Sequence, residues 1–140
     1  MLGKILIVDP IATNRIVLKV KLASAFYDVL QAGNLHQAVA LARQNAPDLV
    51  ISAMSLPEGE GAETLSTALK ADRLTRDITV IGVSEASSSA QRIAAIEAGV
   101  ADVLRKPVED VWLLGRVRSL IRDHNASAEW RMRDDTTRAM

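Results

Sequence analysis

Five short apolar runs, separated by segments with helical periodicity, constrain what this chain can fold into more than any other feature. They are residues 4–9 (Lys-Ile-Leu-Ile-Val-Asp), 28–32, 49–53, 78–83 and 101–104. Such runs are rich in β-branched and aliphatic residues and barely alternate with polar ones, so they suit strands covered on both faces. Between the first two, Thr13 or Asn14 can cap a helix carrying Ile16, Val20 and Ala23 at helical spacing, with Val17 beside them. Residues 35–44 place Leu35, Ala38, Leu41 and Ala42 on one helical face, which Pro47 prevents from continuing. Pro57, Gly59 and Gly61 supply a loop before a helix at 62–71, and Ser87 to Ser89 start one with Ile93 and Ile96 inward, ended by Gly99. A last helix begins near residues 108–110, with Leu113, Val117, Leu120 and Ile121 on one face. Strands alternating with helices five times predict a doubly wound parallel α/β sheet with helices on both faces.

At 140 residues, 49% hydrophobic and 24% charged, the chain has room for one core and the composition of a folded domain. Lys plus Arg and Asp plus Glu number 17 each, so no overall field draws it to nucleic acid or to an anionic membrane. The absence of cysteine excludes disulfides and thiolate metal sites. No stretch approaches the roughly 20 apolar residues that span a bilayer, and the first residues carry no export signal. The expected location is cytoplasmic. Beyond Asn125 the apolar stripe fades, with Trp130 and Met132 as exceptions. A domain at 1–125 and a helical extension or linker at 126–140 are therefore expected. Ending without a helix stop, the chain reads as a piece of a longer protein whose downstream domains are missing.

In a doubly wound sheet, chemistry sits outside the carboxyl ends of the strands. Those ends present Asp9 followed by Pro10, Ala53, Ser84, and Lys106 followed by Pro107. With Ile-Leu-Ile-Val-Asp-Pro at 5–10, Pro-Asp-Leu-Val-Ile-Ser-Ala-Met-Ser-Leu-Pro-Glu-Gly-Glu-Gly at 47–61 and the Lys106-Pro107 pair, the chain resembles the two-component response-regulator receiver family from about Lys4 to Ile121. The resemblance implies a flavodoxin-like (CheY-like) sheet in the order 2-1-3-4-5 and a cis bond before Pro107. It also implies phosphoryl transfer to a carboxylate, with Mg²⁺ held by neighbouring acids and a lysine steadying the charge.

The pattern fails where that chemistry is decided. The nucleophile position holds Ala53, whose methyl cannot attack phosphorus, and Pro10 replaces the second metal acid. Asp9 alone remains as a metal candidate, so Mg²⁺ binding is expected to be weak or absent and no other cofactor is implied. Val103 stands in place of the family's aromatic switch residue. Asp48 is no substitute acceptor, because it begins its strand about 15 Å from the carboxyl edge. Ser52, Ser55 and Glu58 lie nearer but lack the assembled acids. The expected module is a phosphorylation-independent pseudo-receiver, itself not an enzyme, in which Asp9 and Lys106 pair across the pocket. The alternatives are an active receiver with an unusual acceptor, an engineered Asp-to-Ala form of an active one, and a flavodoxin-like module binding a small ligand between Asp9, Ser84 and Lys106.

Residues 110–122 and 129–134, together with Asp-Pro-Ile-Ala-Thr-Asn-Arg at 9–15, resemble the first receiver of PleD-type diguanylate cyclases (receiver–receiver–GGDEF), whose output makes cyclic di-GMP. That likeness implies downstream receiver and output domains in the same chain, a histidine kinase contact, and a full-length protein that is a cyclase. Receivers pair through the fourth helix, fifth strand and last helix; here that face is bounded by Arg92, Glu97, Arg105, Asp110, Trp112, Arg116 and Arg118. A homodimer through it is the expected partner. His36 and His124 read as isolated surface residues, and the arginines of the last helix are interleaved with acids, as on a solvated helix rather than a nucleic-acid face.

Overall fold

Alternate residues of each strand meet a different layer of helices, and that alternation organises the structure, a computed structural model. It describes residues 2–86 and 88–139, with side chains through 127. The strands are β1 (Lys4–Val8), β2 (Asp28–Ala32), β3 (Leu49–Ala53), β4 (Thr79–Ser84) and β5 (Asp102–Arg105). The helices are α1 (Ala12–Ser24), α2 (Leu35–Asn45), α3 (Ala62–Lys70), α4 (Ser89–Glu97) and α5 (Asp110–Ala139), with a short turn at Pro57–Gly59. All strand pairs are parallel and their order is β2-β1-β3-β4-β5, the expected flavodoxin-like arrangement.

Ile5, Ile7, Leu49, Ile51 and Ile81 face α1 and α5, where they bury Leu22, Leu113, Val117, Leu120 and Ile121. Leu6, Val8, Val50 and Val80 face the opposite layer and bury Ala38, Ala42, Leu65, Leu69, Ala95 and Val103. Both faces of the sheet are thus covered, which is why the runs are continuously apolar.

Two helices sit differently from their apparent stripes. In α1, Ile16, Val17 and Val20 are exposed, Ile16 by 54%, while Leu22 is fully buried and Leu18 packs against the core. The first turn decides the rotation, because Asn14 and Arg15 both bind Asp9 and bring the face of Leu18 and Leu22 inward. The helix is not capped by Thr13 or Asn14. Its N-cap is Ile11, whose N–H is satisfied from outside the helix by Asp9 Oδ1 at 2.9 Å. In α4, Ile93 and Ile96 are exposed and Ala95 is buried. Its alanine side permits a closer approach, and Ser66 Oγ of α3 donates to the Ala98 carbonyl at 3.0 Å. Ser88 starts α4 through a capping box with Gln91; Ser87 lies outside the described residues.

Gly61 shapes the β3–α3 connection. A Cβ there would collide with the Met54 carbonyl oxygen. Helix α5 runs through residues 126–139 as backbone, while the side chains of Trp130 and Met132 and the whole of Met140 lie outside the described residues. Among the described residues, no helix is long and apolar enough to cross a membrane.

Candidate functional site

The carboxyl edge of the sheet brings Asp9, Pro10, Ala53, Ser84 and Lys106 to one cleft of about 490 Å³, with Asn14, Met54, Ser55 and Glu85 also on its wall. Each arrives by strand geometry. Asp9 follows β1, Ala53 and Ser84 end β3 and β4, and Lys106 follows β5 with a cis bond to Pro107. Two main-chain bonds tie the strand ends together, from Met54 N–H to the Val83 carbonyl at 3.1 Å and from Lys106 N–H to the Ser84 carbonyl at 2.8 Å.

Asp9 is 6% exposed and its carboxylate is committed. Oδ1 accepts from the Ile11 N–H and Oδ2 from Asn14 Nδ2 at 3.2 Å, while the Asp9 main-chain carbonyl takes an Arg15 guanidinium N–H at 2.7 Å. Arg15 Nε also reaches Gln31 Oε1 at 3.3 Å, linking α1 to β2. The expected Asp9–Lys106 salt bridge does not form. Ion pairs among the described residues join Lys21 with Asp110, Arg43 with Asp72 and Arg116 with Asp102, and His124 Nε2 stands 3.8 Å from Asp48 Oδ1. Asp9 is turned into the start of α1, whose amide hydrogen bonds satisfy it without the lysine. Asn14 and Arg15 escaped sequence reasoning as site residues. The available signal was their place, one helical turn after an acid that ends a strand.

Ala53 is on the wall of the cleft, and its side chain packs against the core beneath it. Ser52 is buried and donates its hydroxyl to the Ala53 carbonyl at 2.9 Å, so it turns back on the strand. Ser55 lines the cleft, and Glu58 is exposed in the turn after it with φ 66°. Asp48 stands at the opposite end of β3, where Oδ2 accepts the Lys4 N–H at 2.8 Å. Val103 is buried among the residues facing α3 and α4.

On the face formed by α4, β5 and α5, Arg92, Glu97, Arg105 and Trp112 are exposed, Trp112 by 53%. Asp110 and Arg116 are used within the domain instead. Asp110 pairs with Lys21 of α1 at 2.8 Å, and Arg116 pairs with Asp102 of β5 at 3.1 Å. Arg118 lies close enough to Tyr27 to moderate a rise in that hydroxyl's pKa caused by burial.

The chain matches the response regulator receiver domain over residues 5–118. It is 36% identical over 140 residues to the response regulator PleD of Caulobacter vibrioides, covering 100% of this chain and 31% of that protein. It is 37% identical over 123 residues to the phosphate regulon regulator PhoB of Pseudomonas aeruginosa, covering 87% of this chain and 53% of that one. It thus spans between about a third and a half of these relatives. The crystal structure of the receiver domain of a histidine kinase from Syntrophus aciditrophicus superposes with TM-score 0.78 at 31% identity, covering 86% of this chain and 91% of that chain. Matched in sequence over most of its length and in fold throughout that core, the chain belongs to the response regulator receiver domain family.

Proposed function

We propose that this receiver domain is a pseudo-receiver, a phosphorylation-independent regulatory or dimerisation module of a larger diguanylate-cyclase-type response regulator. The observation carrying the reading is Ala53, a residue with no side-chain oxygen, on the cleft wall at the strand end where the family's chemistry needs a carboxylate nucleophile. The donor set does not fit Mg²⁺ either. Pro10 and Ala53 offer no side-chain oxygen, and both oxygens of Asp9 are engaged by α1. A hard dication prefers several oxygens free to turn toward it, so no step is routed through the metal.

What Asp9 does instead is structural, anchoring the first turn of α1. Lys106 and Ser84 line the cleft without completing a reaction centre. In this reading the body at 1–125 signals through its surfaces, and the segment 126–140, helical to Ala139, links it to downstream receiver and output domains. Likeness to PleD over all 140 residues supports that placement. Exposed Trp112 among mixed charges supports a homodimer through α4, β5 and α5, since a desolvated tryptophan is a typical interface anchor. A histidine kinase contact, a cytoplasmic location and the lack of a nucleic-acid partner belong to the same proposal, the last supported by the balanced charge.

Beryllofluoride with Mg²⁺, followed by amide NMR, tests the reading. The expected spectrum shows no shifts in residues 9, 53–55, 84 and 106. Saturable shifts at those residues would contradict it.

A further inference from the structure

A second hollow, of about 410 Å³, adjoins the cleft between α1 and the start of α5. Its floor is the buried pair Val83 and Leu113, its sides are Leu18 and Val108, and exposed Val17 and Pro107 stand at its rim. These side chains present hydrocarbon alone, so water filling the hollow finds few partners there. The volume lies within the roughly 300–1,000 Å³ of small-molecule sites, which combine such a lining with a few polar groups.

The polar part of the wall is Asn14, Lys21, Glu85 and Lys106. Asn14 and Lys21 are already engaged: the Asn14 amide donates to Asp9, and Lys21 Nζ is 2.8 Å from Asp110 Oδ1. Glu85 is exposed, so water and salt screen its charge. Lys106 is half-buried, and its ammonium makes neither an ion pair nor a hydrogen bond among the described residues. A cation with restricted access to water and no counter-charge gains most from an anion brought to it.

We propose that this hollow binds a small organic monoanion, a carboxylate on a compact apolar body, with Lys106 holding the head and the hydrocarbon lining holding the body. Glu85 at the rim disfavours a second negative charge, which limits the head to one. The bound molecule touches Leu18 of α1 and Leu113 of α5 together and so favours one placement of the first helix against the last. Helix α5 runs on to Ala139, so that placement reaches the segment beyond the domain. Binding rests on the hollow itself; its use as a signal rests on the pseudo-receiver reading, in which an organic anion takes the regulatory place of the phosphoryl group.

Amide NMR on the 140-residue chain, titrated near neutral pH with phenylbutyrate, phenylbutanol and phenylbutylamine in turn, tests this. The carboxylate is expected to give saturable shifts at residues 17–21, 106 and 108–113, with a Kd of about 1 mM or below. The alcohol and the amine should bind about tenfold more weakly. Lys106→Met, which keeps the apolar stem and removes the charge, should weaken the carboxylate by the same factor. Val17→Asp should weaken it too, whereas Ile16→Ala, exposed on the same helix, should not. No saturation by about 10 mM overturns the proposal. So does equal binding of the alcohol, tighter binding of the amine, or shifts confined to residues 9, 53 and 84 in the cleft. Shifts at the hollow that follow protein concentration alone assign it to a second copy of the chain and overturn the proposal as well. A beryllofluoride response with phenylbutyrate binding intact would remove the pseudo-receiver reading and leave this site standing.

Discussion

Asn14 donates its side-chain amide to Asp9 across 3.2 Å, and that bond, with the Ile11 N–H at 2.9 Å, holds the carboxylate at the start of α1 without an ion pair to Lys106. The helix start, rather than an ion pair, is what the acid stabilises. Asp9→Ala should therefore lower stability by about 1–3 kcal/mol, read as a reduced urea midpoint. Lys106→Ala should stay within about 0.5 kcal/mol of wild type. Equal losses would restore the salt bridge.

The rotation of α1 separates two residues of similar chemistry. Leu22 is fully buried and Ile16 is exposed by 54%. Leu22→Ala should cost about 2–5 kcal/mol, and Ile16→Ala about 0.5 kcal/mol or less. Denaturant unfolding of the two variants checks the order, and a reversed ranking would mean the helix presents its other face.

Much of this fold was legible in residue order. The five apolar runs coincide with strands to within a residue or so, because a strand buried on both faces has no polar register to hide in. The last helix was equally readable, since Leu113, Val117, Leu120 and Ile121 have no rival stripe. Helices α1 and α4 were not. Each carries two apolar faces, and the choice was made by tertiary contacts: Asn14 and Arg15 on Asp9 in one, the close approach of Ala95 in the other. The site followed the same division. Its members were visible as strand-end residues, but the direction in which the Asp9 carboxylate points depends on groups that periodicity does not reveal. His124 read as an isolated surface residue because the groups it meets, the Asp77 carbonyl and Asp48, are distant in sequence.

Gly61 should resist substitution although its backbone is extended. Gly61→Ala forces the new methyl onto the Met54 carbonyl oxygen, so the β3–α3 connection must move. A loss of about 1–3 kcal/mol is expected, with amide shifts concentrated at residues 54–62. A variant of wild-type stability would contradict the close approach.

Tyr27 gives a pH signature at the alkaline end. Burial raises its hydroxyl above the ordinary 10.0, and Arg118 partly offsets the rise. The unfolded chain then loses this proton at lower pH than the folded one. Its contribution is fully present below pH 10.0 and is lost as pH rises through the folded value. Tyr27→Phe should flatten the decline of the urea midpoint in that window, and an unchanged slope would refute the assignment.

The central claim is that this receiver works without accepting a phosphoryl group, and intact mass spectrometry after incubation with acetyl phosphate and Mg²⁺ tests it most directly. The expected result is an unmodified chain, with the same outcome when Asp9, Asp48 or Ser55 is replaced. A stoichiometric phosphoryl adduct absent from any one of those variants, labile to hydroxylamine if carried by an aspartate and stable to it if carried by Ser55, would contradict it.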